Sequence, residues 1–156
     1  MFKKKLILII FLFTTSCGYE SIYSKKNIVD YDFSVSNIIF EGDRNVNLKI
    51  KETLNNYTLN KKKKDFTLKV KSNSKKIILA KNKKGDPTSF KNIITVYVDI
   101  LVDNNFLNNL NIEETFNYKN DKNKFNLKRY EKEIKNNLAQ TATNKLIFKL
   151  SNIQWS

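Results

Sequence analysis

The chain has 156 residues and a formal net charge of +14, from 29 Lys and Arg against 15 Asp and Glu, with no His and one Cys. Without His and with a single thiol it lacks the commonest general base and the usual zinc ligand sets, and it can form no intramolecular disulfide. The length allows one domain with a modest core, and the charge implies an anionic partner, although a Lys- and Asn-rich, Gly-poor composition is also what an A+T-biased genome produces.

In chain order, Met1–Lys5 is a short basic segment and Leu6–Phe13 an unbroken apolar run, followed by Thr14, Thr15, Ser16 and Cys17. A helical run of that length rises about 12 Å, far short of the roughly 30 Å hydrocarbon core, so it predicts a signal peptide and not a span. Small residues before Cys17 suit prolipoprotein cleavage, with Thr14 departing from the aliphatic residue usual at that position. The expected organisation is a lipoprotein signal peptide over 1–16, a lipidated N-terminus and linker over 17–32, and one α+β domain over 33–156. Three acyl chains on Cys17 exceed the threshold for stable anchoring, and Gly18 in place of Asp makes the periplasmic face of the outer membrane the expected location.

Phe33–Phe40 reads as a strand, with Phe33, Val35 and Ile39 alternating with polar neighbours. Val46, Ile50, Leu54 and Tyr57 recur at helical spacing. Phe66, Leu68 and Val70 alternate with Thr67, Lys69 and Lys71, and Ile77–Ala80 continues in extended character to a turn at Lys83–Pro87. Ile94, Val96, Val98, Ile100 and Val102 form the strongest period-two run. Asn104–Asn111 is expected as turn and Ile112–Tyr118 as a returning strand, so these strands predict an antiparallel meander. Leu127, Tyr130, Ile134, Leu138, Ala142 and Leu146 predict a long helix ending near Leu150. The order βαβββα, with two apolar helix stripes to cover, predicts an α+β fold in which two helices pack on one face of a mixed four-stranded sheet.

The chemistry of the residues argues against catalysis. Glu113 and Glu114 are adjacent and so point to opposite faces of a strand, unsuited to paired acid–base work. The chain has no Gly-rich phosphate loop, no G-x-S-x-G and no H-E-x-x-H, so no catalytic residue, metal site or cofactor is expected. An anionic ligand fits better: Lys69, Lys71, Lys75, Lys76, Lys81, Lys83 and Lys84 lie along one expected hairpin. In the periplasm the abundant anionic partner is lipopolysaccharide, whose phosphates Lys can meet as point charges, and Lys75, Lys76 and Lys81 are the candidate contacts. An equally weighted alternative is that these lysines protect a sheet edge from pairing. The Lys61–Lys64 run reads as a solvated turn. Nucleic acid is not expected as a partner of an exported chain.

The run Cys17-Gly18-Tyr19-Glu20-Ser21-Ile22-Tyr23-Ser24 resembles the C-G-[FY]-x-P-L-Y start of mature LPS-assembly lipoproteins of the LptE type, with Ser21 for Pro and Ile22 for Leu. The βαβββα order and the closing helix are also similar to that family. The resemblance implies a protein anchored through Cys17 that plugs the LptD-like β-barrel of the outer membrane and assists delivery of lipopolysaccharide to the cell surface, without enzymatic activity or cofactor. A free-standing envelope lipoprotein that binds another anionic polymer, or scaffolds a protein complex, is the alternative.

Overall fold

The computed structural model describes residues 31–154; the expected signal peptide, Cys17 and nearly all of the expected linker lie outside them. Strand β1 (Ser34–Gly42) leads into helix α1 (Arg44–Leu54) and a 3₁₀ turn (Asn55–Tyr57). Strands β2 (Asp65–Lys81), β3 (Pro87–Val102) and β4 (Asn105–Lys119) follow, and helix α2 (Lys124–Ser151) closes the fold. The sheet order is β1-β2-β3-β4, with β1 parallel to β2 and the other two pairings antiparallel. This is the mixed four-stranded sheet in βαβββα order that the periodicities predict.

Both helices lie on one face because only that face carries a continuous apolar surface. Phe66, Leu68 and Val70 of β2, Ile94, Val96, Val98 and Ile100 of β3, and Ile112 of β4 present alternate side chains to it. Val46, Ile50 and Leu54 of α1 and Ile134, Leu138, Ala142, Leu146 and Leu150 of α2 cover them. Thr53 of α1 donates a 3.1 Å hydrogen bond to Gln140 Oε1 of α2, joining the helices at the surface. Tyr57 stacks on Phe33 with centroids 4.9 Å apart and closes the end of this core.

Caps and turns decide where the elements stop. Asp43 caps α1, its Oδ1 accepting from the Asn45 and Val46 amides, and Asn123 caps α2 by accepting from Phe125 and Asn126. Between β2 and β3, Asn82 Oδ1 accepts from the Lys84 and Asp86 amides, and Gly85 takes a positive φ of 89°. The Lys61–Lys64 run is a loop, as expected, and two of its lysines also tie elements together. Lys62 Nζ donates to the Tyr31 carbonyl and Lys64 Nζ to that of Ile153.

Three local readings are corrected. A register shift at Ser36 means that Phe33 and Val35 are buried, whereas Ile39, expected on their face, points to the open side and is 50% exposed. The strand side of Asn104–Asn111 is larger than expected: the β3–β4 turn is only Asp103 and Asn104, with φ of 47° and 64°, and pairing resumes at Asn105. Two consecutive positive φ values are what a two-residue type I′ hairpin requires, and Asp and Asn tolerate them. Tyr130, expected in the buried stripe of α2, is 44% exposed and sits edge-on to Tyr118.

Candidate functional site: a basic cleft beside the long hairpin

The lysines of β2 divide by strand alternation. Lys69, Lys71 and Lys75 occupy the open face, and Lys76 falls on the helix-covered face. Carboxylates answer two of the open-face lysines: Lys71 pairs with Glu41 at 3.1 Å, and Lys69 stands opposite Asp99 in the register. Lys81 lies at the far end of β2, with Lys83 and Lys84 in the turn beyond it. The structure therefore sets Lys75 and Lys76 along one cleft but leaves Lys81 outside it.

A cleft of about 390 Å³ opens between the hairpin and the first half of α2, lined by Asn45, Ser74, Lys75, Lys76, Asn92, Lys128, Glu131, Lys132 and Lys135 among others. Two of its lysines are engaged. Lys76 is ion-paired to Glu131 and lies 3.9 Å from the Phe90 ring centroid; Lys135 pairs with Asp43 Oδ2 at 3.0 Å. Lys75, Lys128 and Lys132 have no ion pair among the described residues. The first turn of α2 holds no acid, so the positive end of its dipole adds to the same field.

Two titratable groups record the electrostatics here. Burial alone would raise the Asp43 carboxyl, but hydrogen bonds from Ser74, Lys135 and the Val46 amide, with the charge of Lys135, hold it at about 2. Burial raises the Tyr118 hydroxyl well above the usual phenol range. Its 2.8 Å hydrogen bond to the Glu131 carboxylate, and that group's charge, push the same way. Asp43 is thus a fixed anion and Tyr118 a fixed donor, which together hold Lys135 and Glu131 in place. The cleft is built to present ammonium groups, and no carboxylate pair in it has the arrangement of an acid–base couple.

Sequence reasoning found Lys76 but missed Lys128, Lys132 and Lys135. Their spacing of four and three places them on one face of α2, beside the buried Leu127, Ile134 and Leu138. That signal is present in the sequence. What it lacks is any sign that this face would lie against Lys76. Among the described residues no group of three or more His, Cys, Asp or Glu could hold a metal ion, and no helix is long and apolar enough to cross a membrane. The Glu113 and Glu114 side chains do part, the first exposed and the second paired with Lys145 of α2 at 2.5 Å.

With this geometry in hand, solved structures become informative. Its fold is similar to that of lipoprotein B. The crystal structure of rare lipoprotein B from Shewanella oneidensis superposes with a TM-score of 0.58 at 10% identity, covering 74% of this chain and 93% of that one. The solution structure of lipoprotein B from Nitrosomonas europaea gives 0.58 at 15% identity over 78% and 86% of the two chains. A minor lipoprotein from Acinetobacter baumannii gives 0.53 at 14% identity over 74% and 90%. At such identities the likeness is one of fold. No family model matches the chain, and no curated protein does.

Proposed function

We propose that this chain is a lipoprotein of the outer membrane, anchored through Cys17 on the periplasmic side, that plugs a large LptD-like β-barrel and assists delivery of lipopolysaccharide through it. The observation that carries the reading is the cleft: Lys75, Lys76, Lys128 and Lys132 line one cavity, and Lys81, Lys83 and Lys84 lie farther along the same hairpin. Ammonium groups gathered in this way suit the clustered phosphates of a lipopolysaccharide head group. The fold similarity to lipoproteins supports the reading, as does the Cys17-Gly18-Tyr19 start. The chain acts by binding and needs neither a catalytic residue nor a cofactor.

The open sheet face also suits a plug. One of its cross-strand rows, Glu41, Lys71, Tyr97 and Asn111, is polar with its charges matched, and a polar barrel lumen asks for such hydrogen-bonding surface. The test is affinity purification of the lipidated protein from detergent-solubilised envelopes, with mass spectrometry of what is retained. A stoichiometric large β-barrel is the expected partner. Recovery of the chain alone, from envelopes that contain such a barrel, would sink the plug role and leave a free-standing envelope lipoprotein.

A further inference from the structure

Strand β1 covers only half of the edge of β2. Its last paired residue is Gly42, opposite Ser72, where the Asp43 amide donates to the Ser72 carbonyl and the chain turns into α1. From Asn73 to Lys81 no strand among the described residues pairs with β2 on that side, while β3 pairs along its other side, with register shifts at Leu79 and after Ala80. This free edge carries Ile77, Ile78, Leu79 and Ala80, with Ile78 and Leu79 46% and 48% exposed. An open run of apolar, strand-forming residues is a template for another strand.

The residues at its ends decide which strand it admits. Lys75 and Lys76 precede the apolar run and Lys81 follows it. Antiparallel pairing of two copies centred on Ile78 sets Lys75 against Lys81, and centring between Ile78 and Leu79 sets Lys76 against Lys81. These two registers, which superpose the apolar runs, stack like charges, which is destabilising across strands, so the edge disfavours a second copy of itself over its apolar centre. Lipid chains would cover the apolar side chains but leave the backbone donors and acceptors unpaired.

We infer that the free edge of β2 over Asn73–Lys81 docks an extended segment of another protein, one with an apolar centre and carboxylates at both ends. The backbone ladder supplies attachment, Ile78 and Leu79 supply apolar contact, and Lys75 and Lys81, which have no ion pair among the described residues, select for acidic ends. The inference does not depend on lipopolysaccharide binding or on a barrel: Ser74, Lys75 and Lys76 also line the cleft, but the apolar run Ile77–Ala80 and Lys81 do not.

The test uses the full-length protein in detergent and two synthetic peptides: Asp-Glu-Thr-Val-Ile-Val-Thr-Glu-Asp, and the same peptide with Lys at its four acidic positions. The acidic peptide is expected to slow amide hydrogen exchange over Asn73–Lys81 and to bind about tenfold more tightly than the basic one, as cross-strand charge pairs at both ends imply. The double variant Lys75→Glu/Lys81→Glu is expected to reverse that preference, its folding checked by unchanged protection in β3. Lys81→Ala, at the exposed tip, is expected to lose part of the preference and serves if the double variant does not fold. Equal affinity for the two peptides overturns the inference. So does protection confined to β4, or concentration-dependent protection of Asn73–Lys81 without peptide, which would mark self-pairing.

Discussion

Lys76 of β2 and Glu131 of α2 meet in an ion pair at the cleft, and the same Glu131 oxygen accepts the Tyr118 hydroxyl at 2.8 Å. The pair neutralises one of the cleft's inner ammonium groups and leaves the outer lysines to act on a ligand. Glu131→Gln is therefore expected to strengthen binding of lipopolysaccharide several-fold, because Lys76 regains an unbalanced charge. The same change should destabilise the fold by about 1 kcal/mol, the scale of a lost charge-assisted hydrogen bond at a part-exposed site. Titration calorimetry with unfolding in urea checks both, and unchanged affinity would place the ligand elsewhere.

Lys128 and Lys132 take no part in an ion pair among the described residues, and both are exposed. Replacing both with Ala should leave stability within about 0.5 kcal/mol and reduce affinity for lipopolysaccharide several-fold, the loss shrinking as salt is raised. Binding measured at two ionic strengths is the check. A salt-independent loss would argue against phosphate recognition by these side chains.

Asp43 joins three elements: it caps α1, accepts from Ser74 of β2 and pairs with Lys135 of α2. Its carboxyl is held at about 2, below the unfolded value, so its contribution is complete above about pH 4 and is lost as pH falls through 2. Because the side chain is partly exposed, that contribution is on the order of 1 kcal/mol after screening. Asp43→Asn, which can still cap, should lower stability at pH 6 by about that amount and remove the acid-sensitive step between pH 4 and 2. Urea unfolding of both proteins across pH 2–6 shows whether the two curves converge at the acid end.

Gly42 and Gly85 both have positive φ, yet they should respond differently to Ala. At Gly42 an added Cβ would lie 1.9 Å from the Ser72 carbonyl oxygen, within the turn that ends β1. At Gly85 nothing lies within 4 Å, so only the backbone strain is felt. The expected losses are about 1 kcal/mol for Gly85→Ala and more than about 2 kcal/mol for Gly42→Ala. Equal losses would mean that Ser72 moves aside at no cost.

Much of this architecture is legible in one dimension because burial follows period. Ile94, Val96, Val98 and Ile100 alternate, and the stripe of Val46, Ile50 and Leu54 repeats at helical spacing, so strand and helix are named by the residues that must leave water. The exceptions have physical causes of the same scale. A single residue inserted at Ser36 reverses the faces of everything after it in β1, so Ile39 is exposed where a strict alternation buries it. Asn-rich composition disguises the first half of β4, whose pairing with β3 comes from a partner strand and a two-residue turn and not from its own propensity.

The candidate site divides in the same way. The sequence alone determined the fold class, the lack of His and of any Cys but Cys17, and a lysine-rich hairpin, since each is a property of composition or of near neighbours. Only the tertiary structure decided which lysines act together: packing set Lys128 and Lys132 of α2 beside Lys75 and Lys76, and left Lys81 outside the cleft. The free stretch of the β2 edge was also decided there, because it exists only where β1 turns away at Gly42. Charge is written residue by residue along the chain, but a field and a free sheet edge arise from where distant segments stop and cross.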